Sequence, residues 1–173
     1  PVDDEDALGI LADACRAVSK EVGFEVRPAL DLAASEFFRD GMYRYRSRTL
    51  TPEQQIEFVA SLAERFGLFS VEDPLHEDDF AGYARLTSLI GTKCLVIGDD
   101  LFVTSVARLR EGIDAHAANA ILIKPNQIGT LSDAKAAVDL AHRHGYATVV
   151  SHRSGETTDD TIAHLAVAFG SLA

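Results

Sequence analysis

Five short apolar runs each end in residues that can do chemistry. The stretch "RPALDLA" (27–33) carries Asp31, "LFSVEDP" (68–74) ends in Glu72 and Asp73, and "CLVIGDD" (94–100) ends in Asp99 and Asp100. "AILIKPN" (120–126) places Lys124 directly after four apolar residues, and "YATVVS" (146–151) runs into Ser151, His152, Arg153 and Ser154. If the runs are parallel strands, their carboxyl ends share one face, which is where α/β folds build their sites. Asp31, Glu72 and Asp99 then converge on one centre. Three close anions repel in a pocket of low dielectric, and a hard divalent cation resolves the repulsion. All-oxygen ligands with no competing Cys or His suit Mg²⁺, which keeps waters or takes substrate oxygens.

Each of these residues also has a plainer reading. A carboxylate at a strand end can cap the helix that follows. Lys124 is a general base if a neighbouring cation lowers its pKa. Otherwise it snorkels to the surface or pairs with one of the carboxylates. Arg153 with Ser151 and Ser154 forms a clamp for phosphate or carboxylate, because guanidinium binds such oxyanions in bidentate fashion. His152 beside them is an acid/base group, a ligand or a satisfied histidine. The plainer alternative for this segment is a polar loop whose Thr157 or Thr158 caps the last helix. His76, His116, His142, His144 and His164 fall in loops or on helix faces and read as incidental.

The elements that must position these groups alternate. Helical periodicity of apolar residues predicts helices over 6–22, 51–67, 78–90, 105–113, 132–145 and 158–170. In the first, Ala7, Ile10, Leu11, Ala14 and Val18 form the expected apolar face. The second has the clearest boundaries: Thr51 at the N-cap, Pro52 at N1, Gln54 completing a capping box and Gly67 at the end. Asp78 is read as the cap of the third. Between the helices lie the strand-like runs, apolar at every position in "CLVI" and "AILI", as befits parallel strands buried on both faces. The class is therefore α/β with right-handed crossovers. The one irregular stretch, "SEFFRDGMYRYRSR" (35–48), holds Asp40-Gly41 and predicts a small hairpin.

Composition narrows the partners. A chain of 173 residues with 47% hydrophobic and 25% charged residues supports one domain with a sizeable core. The net charge of −11 argues against nucleic acid, which needs a basic surface. A high-salt source or a soluble acidic enzyme that holds cations would each account for it. No apolar run approaches ~18 residues, so no membrane span is expected. Cys15 and Cys94 lie far apart and, with no secretory signal, suggest reduced thiols in a cytoplasmic protein.

Taken together, "DLAASEFF" (31–38), "VEDPLHEDD" (71–79), "GDDLFVT" (98–104), "LIKPNQIGT" (122–130) and "SHRSGET" (151–157) resemble the catalytic barrel of the enolase family, in order and over essentially the whole chain. The "IKPNQIGTL" wording is similar to archaeal members. The resemblance implies a partial (β/α)₈ barrel of about five parallel strands, with residues 1–173 forming one portion of the C-terminal catalytic domain. It implies reversible dehydration of 2-phosphoglycerate to phosphoenolpyruvate, a lyase reaction of glycolysis. Asp31, Glu72 and Asp99 match the Mg²⁺ ligands, and Lys124 matches the base that removes the proton beside the substrate carboxylate. Ser151, His152, Arg153 and Ser154 match the substrate-binding segment, with Arg and Ser on the phosphate. Family members are usually homo-oligomers, so the whole protein is expected to be one.

A complete barrel has eight strands and typically ~250 residues. The chain reads as a fragment, without the family's N-terminal α+β domain, first barrel strands, general-acid glutamate and a later lysine facing the substrate. Alone it is expected to be inactive. Two other readings stay open: a superfamily enzyme acting on a non-phosphorylated acid, against which "SHRS" argues, and a non-catalytic interaction module.

Overall fold

A computed structural model describes residues 4–154 and 157–173; Gly155 and Glu156, inside the "SHRSGET" motif, lie outside the described residues. Helices α1 (Asp4–Val22), α2 (Pro52–Phe66), α3 (Phe80–Ile90), α4 (Val106–Asp114), α5 (Pro125–Ile128), α6 (Leu131–Arg143) and α7 (Thr161–Phe169) alternate with strands. Strands β1 (Ala29–Asp31), β5 (Ser70–Glu72), β6 (Leu95–Gly98), β7 (Ala120–Ile123) and β8 (Ala147–Val150) form one parallel sheet in that order. The short strands β2 (Phe38–Arg39), β3 (Met42–Arg44) and β4 (Thr49–Leu50) form an antiparallel sheet of their own. This is the α/β architecture expected, and it is consistent with part of an enolase-type barrel. The predicted hairpin is the β2–β3 turn, with Asp40 at φ 52 and Gly41 at φ 75, and β4 extends it.

The central strands β6 and β7 are largely buried on both faces, as their unbroken apolar character requires, whereas the edge strand β1 is largely exposed. Val71, Val96, Ile121 and Ile123 belong to the large core beneath the helices. Ile97, Ala120 and Leu122 form a second cluster with Leu95, Ala147 and Val149, on the opposite face by strand alternation. The helix boundaries follow local chemistry. The α2 N-terminus is a full capping box: Gln54 N donates to Thr51 Oγ1, and Thr51 N donates to Gln54 Oε1. Gly67 ends it at φ 62. Thr51→Ala removes one of these bonds, and a loss of about 1 kcal/mol in urea unfolding is expected.

Three boundary details differ from the sequence reading. The α3 cap is Asp79, whose Oδ1 accepts from Gly82 N at 2.8 Å, not Asp78. Asp78 instead pairs with Arg108, whose guanidinium is also over the Phe80 ring. Neither Thr157 nor Thr158 caps α7; Asp160 is its N-cap, and Asp159 accepts from Thr161 N at 2.9 Å. One helical turn, α5, separates Lys124 from α6, because Pro125 stops β7 and is well placed at a first helical position.

The expected face of α1 is the wrong one. Leu8, Ala12 and Cys15 are buried, while Ile10 is 56% exposed, Leu11 42% and Val18 41%. The helix carries two apolar stripes, and the one that meets α2 is chosen by its partner rather than by its own pattern. The other stripe borders an open groove of about 560 Å³ along the outer edge of β1, lined in part by Leu11, Leu30 and Phe58. At the other end of the sheet the chain runs on beside β8: Leu172 N donates to Thr148 O, and Val150 N donates to Ala173 O.

One contact fixes the turn after β6. Phe102, fully buried, lies against two glycines. A Cβ on Gly98 would stand 2.6 Å from its ring and one on Gly112 2.3 Å. The ring has no room to retreat, so Gly112→Ala is expected to cost about 1–3 kcal/mol by overpacking, read as a lower unfolding midpoint.

Candidate functional site

Register decides which strand-end groups meet. In parallel pairing, Asp31 is opposite Glu72 and Glu72 is opposite Ile97. Ile97 is opposite Ala120, and Ala120 is opposite Ala147. These five residues form one row across one face. Two positions on, the same face carries Asp99, Leu122 and Val149; two further, it carries Lys124 and Ser151. Asp31 and Glu72 thus share one row, Asp99 lies one step beyond it and Lys124 two, each at the end of the strand next to the last.

Lys124 Nζ contacts Asp99 Oδ2, an ion pair whose side chains are only 14% and 12% exposed. The carboxylate pairing that the sequence offered as the plainer alternative for this lysine is present, and it places the ammonium among the strand-end carboxylates without deciding its chemical role. The other Asp99 oxygen, Oδ1, is buried with no hydrogen-bond partner among the described residues. Asp99 caps no helix, since the N-cap of α4 is Ser105 and that of α3 is Asp79. Glu72 is half-buried, and burial together with the anions Asp31, Asp73 and Asp99 pushes its carboxyl up to about 7, with Lys124 opposing. Asp31 is exposed and accepts from Ala33 N at 2.9 Å, so it also serves the turn into the 3₁₀ helix at Ala34–Phe37.

Donor chemistry at this centre fits a hard cation. The donors are all carboxylate oxygens, one of them buried and without a partner, beside a second carboxyl whose ionisation is opposed by its neighbours. Asp73, Asp99 and Asp100 also bring one oxygen each within 4.8 Å of one another. Asp73 differs from the others in its partners. Its Oδ1 accepts from Asp99 N at 3.0 Å and from Tyr83 Oη at 3.2 Å, and its Oδ2 accepts from Asp100 N at 2.8 Å. Burial raises its carboxyl to about 7 against the pull of those amides.

Two residues to which the sequence reading gave no role, Asp73 and Thr104, border the site and tie its loops together. Asp73 is 3% exposed at φ 40, and Thr104 is fully buried at φ 57. Thr104 Oγ1 accepts from Lys124 N at 2.9 Å, which ties the β6 loop to the start of the lysine turn. Asp tolerates the left-handed conformation of residue 73 better than most residues, but no local pattern marks it. Nothing in the sequence marks Thr104.

The Ser-His-Arg-Ser segment is not drawn into this cluster. Ser151 N donates to Ile123 O at 2.9 Å, which seats the segment at the end of β8. His152, Arg153 and Ser154 are exposed, and no contact among the described residues joins them to the carboxylates. His152 Nδ1 lies 2.8 Å from Arg153 O.

Among the described residues, no helix is long and apolar enough to cross a membrane. The profile of the enolase C-terminal TIM barrel domain matches residues 2–172. The chain is 58% identical over 167 residues to the enolase of Natronomonas pharaonis, covering 96% of the chain and 42% of that relative. It is 59% identical over 169 residues to the enolase of Methanothermobacter thermautotrophicus, covering 95% and 41%. To the enolase of Haloquadratum walsbyi it is 55% identical over 170 residues, covering 97% and 42%. The chain thus spans less than half the length of the curated relatives it matches. With parallel strands in barrel order, functional groups at their carboxyl ends and a profile match over nearly every residue, the chain belongs to the enolase C-terminal TIM barrel family.

Proposed function

We propose that the whole protein bearing this sequence is an enolase, interconverting 2-phosphoglycerate and phosphoenolpyruvate with Mg²⁺, and that residues 1–173 supply its metal ligands, base and phosphate clamp. The observation that carries the reading is the contact between Lys124 and Asp99, next to Glu72 on the adjoining strand. A proton beside a carboxylate is very weakly acidic, and its removal needs a base and positive charge in the same place.

Asp31, Glu72 and Asp99 would hold the Mg²⁺, which supplies positive charge where the substrate carboxylate gains electron density. Lys124 takes the proton at Nζ. Its backbone is fixed by Thr104, so its side chain extends from a defined point toward the Asp99 side of the cluster. Arg153 and Ser154 bind the phosphate, with the guanidinium offering two parallel donors to its oxygens. Ser151 and His152 line the same wall. The segment's exposure suits a group that closes on a ligand, and Ser151 anchors it to β7. The family setting points to a cytoplasmic homo-oligomer.

The test uses the full-length protein with 2-phosphoglycerate and Mg²⁺, following phosphoenolpyruvate by its ultraviolet absorbance. Magnesium-dependent product formation is expected. No product from folded full-length protein would overturn the enolase reading, and turnover of a non-phosphorylated 2-hydroxy acid instead would move the protein to another branch of the superfamily.

A further inference from the structure

Asp73 stands next to a proposed metal ligand, is almost fully buried and carries a charge that the mechanism above does not use. It follows the last residue of β5, at the turn toward α3. There it meets α3 through the Tyr83 hydroxyl. Its carboxylate also receives the backbone N–H groups of Asp99 and Asp100 from the neighbouring strand. Its own amide donates to Ile97 O at 3.1 Å, and its carbonyl accepts from Ala34 N at 3.0 Å, which ties it to the segment after β1 as well.

This pattern separates Asp73 from a cation ligand. Both of its oxygens are met by N–H or O–H donors, and those donors present positive hydrogens to the space a cation would need. Asp99 is the reverse case, with one oxygen buried and without a partner among the described residues. We infer that Asp73 is a positioning residue: its carboxylate clamps the Asp99–Asp100 turn so that the Asp99 side chain stays on the concave face with Glu72. Two amides gripped by one side chain leave the Asp99 backbone little freedom to rotate, and the left-handed φ of 40 is what swings the Asp73 carboxylate across to them. The inference rests on the reading of Asp99 as a metal ligand, and groups that hold a ligand from behind typically change metal affinity about 10–100-fold when removed.

The test compares Asp73→Asn and Asp99→Asn with the unmodified protein, all full-length. Mn²⁺ affinity is measured by titration calorimetry, and amide exchange by NMR or mass spectrometry in chelator. Asn keeps the shape of Asp but sets an NH₂ group against one of the two amides. Asp73→Asn is expected to weaken Mn²⁺ binding about 10–100-fold and to speed exchange locally at Asp99 and Asp100, with the rest of the barrel unchanged. Asp99→Asn should weaken binding at least as much. Unaltered binding in Asp99→Asn would sink the metal reading itself. Weakened binding in Asp99→Asn alone would leave that reading standing and overturn the role of Asp73. Weaker binding with unchanged exchange at Asp99 and Asp100 would show that Asp73 acts by charge and not by position, which also overturns the inference. Should Asp73→Asn fail to fold, Tyr83→Phe carries the test. It removes the hydroxyl holding the Asp73 carboxylate and keeps both amides, so a smaller loss in the same direction is expected and unchanged affinity counts against the inference.

Discussion

Lys124→Ala in the full-length protein is expected to lower kcat about 10²–10⁴-fold, the range a positioned general base contributes. Exchange of the proton on the substrate carbon with solvent should be lost along with it. An isotope-exchange measurement separates the base from the other groups, since a variant damaged only in phosphate binding keeps exchange at saturating substrate. Retained exchange in Lys124→Ala would refute the assignment. The same substitution has a second effect that catalysis does not report. It leaves the Asp99 carboxylate, 9% exposed, without the ammonium that contacts it. Breaking a buried pair from one side typically costs about 3–5 kcal/mol. The variant should therefore melt well below the parent in chelator, and Mg²⁺ should restore much of the difference by giving Asp99 another positive partner. Lys124→Met separates the two effects less cleanly, because its longer side chain still fills the space.

Mg²⁺ affinity is expected to fall about tenfold per pH unit below 7, because a cation must displace the proton that Glu72 holds there. Between pH 7, where the proton is half held, and pH 5, that amounts to about 50-fold. The sign for stability in chelator follows from the same shift. The Glu72 carboxyl titrates near 7 in the folded protein and near 4.5 ordinarily. Between those values the folded state binds a proton that the unfolded state has released. Stability is highest below pH 4.5 as far as this group is concerned, declines as pH rises toward 7, and levels off above it. Asp73, also raised to about 7, contributes with the same sign. In chelator, then, the unfolding midpoint should drop from pH 5 to pH 8. Saturating Mg²⁺ should reverse the trend. Glu72→Gln is the control: its metal affinity should be weak at every pH, and its share of the slope in both measurements should disappear. An unchanged slope in that variant would contradict the role of Glu72.

Much of this could be read before any coordinates. The four-residue run "AILI" announced a strand buried on both faces, and Ala120–Ile123 is buried throughout. Thr51, Pro52, Gln54 and Gly67 bounded α2 because capping is a local matter, settled within one turn of helix. The convergence of Glu72, Asp99 and Lys124 was legible because parallel strands put their ends together whatever the details of packing. The details that escaped share a cause: each depends on a partner distant in sequence. The buried stripe of α1 is chosen by α2. The choice of Asp79 over Asp78 depends on Arg108, thirty residues on, which takes the other carboxylate. That Lys124 sits above Asp99 follows from register, which no local pattern gives. The grip of Asp73 on its neighbour's amides needs a left-handed backbone angle and a strand 26 residues away, neither of which a local pattern reports.

A parallel strand that is apolar at every position has little to hold its alignment. If "AILI" slid along its neighbours by two residues, each side chain would keep its face and nearly the same burial, so hydrophobicity hardly opposes the slip. Ties across the sheet oppose it. Asp73 grips the end of β6, Thr104 from the loop after β6 grips Lys124, and Ser151 N closes on Ile123 O. A slip of one strand breaks the ties on both its sides and leaves buried amides without acceptors. The polar residues at the strand ends thus act as the index marks of the sheet, and the groups proposed for catalysis lie in line with them. Errors of alignment would be felt first, and at greatest cost, where the chemistry is done.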